Sequence, residues 1–413
     1  MKAMLAAAQH HRLEPDAAAP PATAAAAEKR VGVTRLVLTD FRNYRSMRLD
    51  FAPDAAGRPV VLSGPNGAGK TNLLEALSFL SPGRGLRNAR LGDIDRRDGG
   101  DAVIGAGWAV AATVQTRRGE LRIGTGRENG RDGPGERRAV RIDGEPAKGQ
   151  AALGERLGVL WLTPQMDRLF VEGPGGRRRL MDRLVLGLDP AHAARVARYE
   201  QALRERSRLL RDGGGDAAWL SALEEVMAAE GVAVAAARRE IVERLDAACA
   251  EGEGAFPRAR LSLIGSVEAW LDNMPALVAE ERLRAGLAAG RGADAQVGGA
   301  TIGPHRSDLA VVHADKGIAA DAASTGEQKA LLISILLAQT RLQRAVRGEP
   351  PLLLLDEVGA HLDATRREAL FEVLAGFDAQ AWLTGTDPAL FAPLQGTACF
   401  LSVHDGTVFP TIP

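Results

Sequence analysis

The stretch Val60-Val61-Leu62-Ser63-Gly64-Pro65-Asn66-Gly67-Ala68-Gly69-Lys70-Thr71-Asn72-Leu73-Leu74 decides the fold class. A short apolar run of β type leads into a glycine-rich loop, and a helix is expected over Asn72–Leu80. Gly64–Thr71 carries Gly64, Gly67 and Gly69, then Lys and Thr. The glycines let successive backbone N–H groups turn inward around phosphate groups, and the following helix adds its positive end. On this reading Gly64, Pro65, Asn66, Gly67, Ala68 and Gly69 frame the phosphates of ATP. Lys70 reaches the β- and γ-phosphates and the Thr71 hydroxyl ligates Mg²⁺. A chance glycine turn is the alternative, and the flanking strand and helix weigh against it.

A second stretch completes this chemistry far along the chain. Leu352-Leu353-Leu354-Leu355 ends in Asp356-Glu357. Consecutive apolar residues suit a central parallel strand covered on both faces, and ligands gather at the C-terminal ends of such strands. Asp356 is then placed to hold Mg²⁺, and Glu357 to polarise the water that attacks the γ-phosphate. Ser324-Thr325-Gly326-Glu327-Gln328 precedes a helix that runs through Gln343. Ser324 as N-cap and Gly326 beside it make a second anion site, with a generic capped helix as the plain alternative.

The 413 residues suffice for one large or two smaller domains, and 46% hydrophobic with 25% charged residues is ordinary for a soluble globular chain. Net charge is zero, so a polyanionic partner would need a local basic surface. Only six of the 52 basic residues are lysines, a bias that with so many alanines points to genome composition. Cys249 and Cys399 have no metal-ligand spacing and fit a reducing compartment. No apolar run reaches the ~18–20 residues of a membrane span, and a cytoplasmic location is expected. Met1 to Arg30, rich in Ala and Pro, reads as a disordered leader or an over-long start.

Around these motifs, Thr34, Leu36 and Leu38 alternate, as do Met47, Leu49 and Phe51 after a polar turn at Asp40–Arg45. Further strands are expected over Val103–Val114, Leu121–Ile123, Val140–Ile142 and Val159–Leu162, with a loop at Gly124–Arg138. A helical region begins near Pro190. Its first apolar stripe is Val196, Tyr199, Leu203 and Leu210; after Gly213-Gly214-Gly215 a second follows through Leu220, Leu223, Met227, Val234, Ile241 and Leu245. Two such helices suggest an antiparallel arm of no more than about 35 residues a side, ~50 Å. A Gly/Ala-rich stretch follows around Gly286–Gly299.

In this order the three motifs resemble the ABC ATPase superfamily. The resemblance implies a head-to-head dimer in which Ser324 and Gly326 of one subunit touch the ATP held by the other. Gly359-Ala360-His361-Leu362-Asp363 resembles the D-loop. Gln165, in Leu162-Thr163-Pro164-Gln165, is a candidate catalytic Q-loop glutamine or else an ordinary surface residue. Where the superfamily usually has a switch histidine stands Thr384-Gly385-Thr386-Asp387, which suggests slow hydrolysis.

More specific stretches resemble the RecF family of bacterial recombination mediators, an SMC-like group. They are Leu38-Thr39-Asp40-Phe41-Arg42-Asn43-Tyr44, Gly83-Arg84-Gly85-Leu86-Arg87, Gly173-Pro174 with Arg177-Arg178-Arg179 and Asp182, Tyr199–Leu210, and Gly303-Pro304-His305-Arg306-Ser307-Asp308-Leu309. Gly85 and Leu86 depart from the family's usual Ser and Phe, and Glu357 stands where many relatives have a second aspartate. The resemblance implies an α/β fold, an ABC-type ATPase head with an inserted short antiparallel helical arm. Its parts are a leader (1–30), the first part of the head (31–185), the arm (186–295) and the second part of the head (296–413). It also implies an ATP-driven homodimer on gapped DNA, at single-strand/double-strand junctions. With RecO and RecR it would help load RecA, with weak, DNA-stimulated ATP hydrolysis for release.

The arginine run Arg177-Arg178-Arg179 could pair with DNA phosphates, each contact adding roughly 0.9 to the log–log salt slope, or be solvated or paired internally; both stay open. Aromatics are only 4%, with no RNP-like set, so backbone and junction shape are favoured over base readout. A transporter-associated nucleotide-binding subunit is the main alternative, and the arm and the Gly303–Leu309 segment argue against it. Another SMC-like ATPase should have a much longer coil.

Overall fold

The computed structural model describes residues 30–98, 101–102, 107–128, 137–213, 216–252, 254–360 and 362–411. The leader up to residue 29, Val103, most of the Gly124–Arg138 loop, Gly214-Gly215 and His361 lie outside them.

Along the chain run strands β1 (Gly32–Phe41), β2 (Tyr44–Asp50) and β3 (Val60–Ser63), then helix α1 (Lys70–Ser78). Strands β4 (Arg97–Asp98), β5 (Asp101–Ala102), β6 (Ala109–Thr116), β7 (Gly119–Glu128), β8 (Arg137–Ile142) and β9 (Glu145–Pro146) follow. Next come α2 (Ala151–Arg156), β10 (Val159–Leu162), α3 (Pro174–Leu186), α4 (His192–Arg211) and α5 (Ala217–Ala250). After β11 (Ala259–Ile264) stand α6 (Ser266–Leu271), α7 (Ala276–Ala289) and α8 (Arg291–Val297), then β12 (Asp308–His313), β13 (Ile318–Ala319) and α9 (Thr325–Arg347). The chain closes with β14 (Leu352–Leu355), α10 (Ala364–Ala375), β15 (Ala381–Gly385), β16 (Cys399–His404) and β17 (Thr407–Pro410).

Why Leu352–Leu355 can be apolar at every position is visible in its neighbours. It lies inside the sheet β10-β14-β15-β3-β16-β17, parallel except at the β17 edge. Leu353 and Leu355 face one core, with Leu331, Leu336 and Phe371. Leu352 and Leu354 face the other, with Leu73 and Leu77 of α1 and with Leu36, Leu38 and Val110 of the second sheet. Each fully buried leucine contributes roughly 1.5–3 kcal/mol.

That second sheet, β2-β1-β6-β7-β8-β9, is antiparallel. Gln380 ties the two together: its Oε1 accepts from Val33 N at 2.8 Å and from Trp382 Nε1 at 2.9 Å. Between them the sheets set β3 beside β15 and β15 beside β14, so the phosphate loop and the acidic pair leave the same sheet edge one strand apart.

Three expectations need correcting. Gly124–Arg138 is not a loop throughout, because β7 continues to Glu128 and β8 begins at Arg137. Their pairing, from Ile123–Ile142 to Glu128–Arg137, outweighs the weak strand preference of Gly124 and Gly126. Helix α1 begins at Lys70, two residues before the expected start. Regular helix starts before Pro190, since Pro174 opens α3 as its first residue. The Gly286–Gly299 stretch is helical: Leu283 and Leu287 of α7 are buried against Met227 and Val232 of α5. Helices α4 and α5 pack on each other around Tyr199, Ala202 and Ala228, with α7 against the same core.

Candidate functional site

The loop Gly64–Thr71 needs glycine where it turns. Gly64, Gly67 and Gly69 have φ of 147°, 81° and 118°, and a Cβ on Gly64 would strike the carbonyl oxygen of Val403. Its tip, Pro65 to Gly67, is exposed, while Ala68 to Lys70 are buried. The β1–β2 turn buttresses it from one side. Tyr44 OH donates to Gly69 O at 3.1 Å and Asn43 Nδ2 to Ala68 O at 3.2 Å. Gly406 N donates to the same Ala68 oxygen from the other side, at 3.1 Å. Burial raises the Tyr44 hydroxyl pKa, which keeps it a neutral donor.

Lys70 is tucked under this loop, donating to Gly64 O at 2.6 Å and Pro65 O at 2.8 Å. Burial lowers its pKa, against the pull of Glu357 and Asp356. Thr71 Oγ1 donates to Asp356 Oδ1 at 3.1 Å, joining the two motifs that sequence separates by 285 positions. Thr384, at the end of the strand between them, donates to the same Asp356 oxygen at 2.7 Å. Burial raises the Asp356 pKa, and the two hydroxyls only partly offset it. No cation of the described residues lies within ion-pair distance of this carboxylate.

Glu357 has φ of 49°, a left-handed backbone that a non-glycine residue adopts at ~1–2 kcal/mol. Besides the Ala360 N–H, which donates to its carbonyl at 3.1 Å, two side chains hold it there. Its N–H donates to Thr384 Oγ1 at 2.8 Å, and its carbonyl accepts from Lys329 Nζ at 3.3 Å. Lys329 also donates to Ala360 O at 2.7 Å and lies 3.6 Å from Asp167, which follows Gln165 in the turn after β10. Burial lowers the Lys329 pKa. Gln165 itself is exposed beside the end of β14, with Thr163 Oγ1 at 3.5 Å.

Ser324 caps α9 in a full capping box with Glu327. Ser324 is exposed, and a Cβ on Gly326 would meet nothing within 4 Å. Among the described residues, no hydrogen bond or ion pair joins Ser324 or Gly326 to residues 64–71. Asp363 caps α10, accepting from Arg366 N at 2.8 Å.

The arginine run is largely spent inside the molecule. Arg177 grips Asp308 at 2.7 and 2.8 Å and donates to three backbone carbonyls of residues 169–172. Arg178 donates to Ser307 O at 2.9 Å, and only Arg179 is exposed.

The family described as RecF/RecN/SMC N terminal domain matches residues 32–392. The DNA replication and repair protein RecF of Mesorhizobium japonicum is 50% identical over 381 residues, 92% of this chain and 98% of that one. The chain belongs to the RecF family. Its counterparts of the same name in Rhizobium meliloti and Agrobacterium fabrum are 47% and 46% identical, each over 92% of this chain and at least 98% of the other. Two solved structures, described as the recombination mediator protein RecF-ATPrS and RecF-ATP in the RecFOR pathway, share the fold. Their TM-scores are 0.78 and 0.77 at 22% and 21% identity, covering 93% and 94% of this chain and 99% and 100% of theirs. The head is thus an ABC/SMC-type ATPase fold. No helix of the described residues is long and apolar enough to cross a membrane.

Sequence reasoning missed three parts of this RecF-type site. Thr384 was noticed only as the absence of a histidine, yet it bridges Asp356 and Glu357. Lys329 carried no signal beyond following the Ser324–Gln328 segment. Glu75, fully buried on α1, is gripped by Arg42 at 2.8 and 2.7 Å and by Arg87 at 2.6 Å. Arg42 and Arg87 stand in two separate segments that carry the family resemblance, and Glu75 lies between them in the sequence.

Proposed function

We propose that the chain is an ATP-switched DNA-binding protein of gap repair and recombination, whose output is its nucleotide state rather than fast turnover. One observation carries the reading: the hydrogen bond from Thr71 to Asp356, 3.1 Å long, which brings the phosphate loop and the acidic strand end into one site. The relatives' shared name, DNA replication and repair protein RecF, supplies the biological setting.

The Thr71 hydroxyl and the Asp356 carboxylate are the hard oxygen donors that Mg²⁺ prefers. Asp356, buried without a cationic partner among the described residues, is the carboxylate such an ion would relieve. Mg²⁺ there would neutralise charge that develops on the β- and γ-oxygens. Lys70 exchanges the carbonyls of Gly64 and Pro65 for phosphate oxygens, while residues 64–69 present backbone N–H groups. Glu357 acts as the base that orients the attacking water, and Gln165 positions that water from the neighbouring strand end. Ser324 and Gly326 of a second copy close over the γ-phosphate, because the open N-terminus of α9 has no such role within its own chain. The functional unit is then an ATP-dependent homodimer on gapped DNA, at single-strand/double-strand junctions, helping RecO and RecR to load RecA. Hydrolysis is weak, with Thr384 where a switch histidine would stand, and serves release.

With ATP and gapped duplex, Glu357→Gln should sediment as a DNA-bound dimer, while Lys70→Ala should bind no nucleotide. A Glu357→Gln protein that stays monomeric with ATP would sink the dimer. Equal, ATP-independent affinity for gapped and blunt duplex across a salt series would remove the mediator role.

A further inference from the structure

The β8–β9 hairpin and the loop after α1 enclose a cleft of about 900 Å³ that none of the nucleotide-site residues lines. Its floor is Arg138, only 6% exposed and fixed from several sides. The guanidinium donates to Thr125 Oγ1 at 2.7 Å, Gly83 O at 2.8 Å, Gln150 Oε1 at 3.1 Å and Ser81 O at 3.2 Å, and also to Phe79 O. Every one of these acceptors is neutral. Burial lowers the Arg138 pKa to about 9, so at neutral pH the floor still carries a positive charge, with no counter-ion among the described residues.

The rim repeats the pattern. Arg137 and Arg141 stand on either side of Arg138 along β8 and are exposed, and Arg84 and Arg90 reach the cleft from the loop after α1. None of the four is in an ion pair among the described residues. No carboxylate and no aromatic side chain lines the cleft among them. Several exposed arginines elsewhere have acidic partners: Arg35 and Arg48 share Asp50, Arg198 holds Glu230 and Arg258 holds Asp315. Arginines gathered without acids demand an anion from outside.

We infer that this cleft seats the sugar–phosphate backbone of duplex DNA, with Arg84, Arg90, Arg137 and Arg141 on successive phosphates. The inference rests on the DNA-binding reading above and names a surface for it. Guanidinium forks match phosphate oxygens. Unpaired bases would want stacking platforms, which the lining lacks, so duplex is favoured over single strand.

The test compares the parent with Arg90→Ala/Arg141→Ala, both exposed positions, by anisotropy with labelled duplex over a salt series. ATP binding and melting temperature are measured alongside. The double variant should bind ATP and melt like the parent, yet lose about 2 from the log–log salt slope. A parent that binds duplex and a variant with the same slope and affinity overturns the cleft and leaves the function standing. A parent that binds no DNA in any nucleotide state overturns both. Inorganic polyphosphate is the competitor: if it binds the parent and the variant equally, the arginines are not the anion seat.

Discussion

Asp356 and Asp182 are two carboxylates drawn into the fold and treated in opposite ways. Asp356 rests on two neutral hydroxyls, and burial leaves its pKa raised. Asp182 is also pushed up by burial, but His192 at 2.8 Å and a bidentate Arg238 at 2.8 Å on each oxygen hold its pKa below the ordinary value. Arg238 also donates to Pro304 O at 2.6 Å, and Tyr199 OH lies 2.6 Å from His305 Nδ1. Asp182 thereby locks α3, α4, α5 and the Gly303–Asp308 segment together. Of the stretches that carry the RecF resemblance, those holding Asp182, Tyr199 and Gly303–Asp308 build a joint, while Leu38–Tyr44 buttresses the phosphate loop of the site. An undercompensated charge marks the place where a ligand is expected; a saturated one marks a fastening.

The largest effect should come from Asp356→Asn. Turnover with Mg²⁺ and ATP should fall by on the order of 10²–10³, as when a group that stabilises transition-state charge is lost. Stability at neutral pH should not fall. A carboxyl whose folded pKa is raised stabilises only at low pH and loses that contribution as pH rises through the raised value, so its removal at pH 7 relieves the fold. An Asp356→Asn protein that melts well below the parent would break the contrast.

Asp182→Ala should do the reverse. Stranding Arg238 should cost about 3 kcal/mol, the lower end for a broken buried pair because Asp182 is 23% exposed at its side chain. Denaturant unfolding measures it, and the folded fraction should bind ATP like the parent. Because the Asp182 pKa is depressed, its contribution is present above the ordinary aspartate value and fades as pH falls through the lower folded one. Intact stability with lost turnover would move Asp182 from the joint into the site.

Thr384→Val sharpens the site half of the comparison. It removes one donor to Asp356 and the acceptor for the Glu357 N–H, worth about 1–2 kcal/mol, with the left-handed turn at Glu357 loosened. Turnover should fall while the KM for ATP changes little, and Thr384→Ser should restore it. A Thr384→Ser protein as impaired as Thr384→Val would show that shape, not the hydroxyl, matters there.

How much of this was legible follows from how locally each feature is determined. Val159–Leu162 and Leu352–Leu355 are strands with the expected bounds, because a strand buried on both faces needs only a continuous apolar run. Ser324 as N-cap was legible too, since a cap is decided within four residues. Helix α7 is less legible: Gly286 weakens it locally, and the burial of Leu283 and Leu287 on α5 overrides that. The loop at Gly124–Arg138 failed likewise, because its strand character comes from a partner strand. Arg177 and Arg178 looked like a phosphate-binding run, and their partners Asp308 and Ser307 lie more than a hundred residues on. The arginines of the cleft come from segments around 84–90 and 137–141, so no local pattern joined them.

The smallest effect concerns a third carboxylate, saturated like Asp182 and half-buried at the start of α9. Glu327 accepts from Lys316 and from the Ser324 backbone N–H, which together lower its pKa to about 2. A depressed carboxyl stabilises above its ordinary value of 4.5, and that contribution is lost as pH falls through about 2. Glu327→Gln keeps the shape of the capping box and removes only the charge. The melting difference between parent and variant should hold steady at neutral pH, shrink below 4.5 and vanish near pH 2, and added salt should shrink it at every pH. A difference that persists at pH 2 would show that the α9 cap rests on hydrogen bonding alone. Loss of the charge would then leave Ser324 ordered, and ATP-dependent dimerisation of Glu327→Gln at neutral pH should match the parent. If the charge does hold the cap, that variant should need more ATP to dimerise, because the exposed end of α9 reaches the second subunit less well ordered.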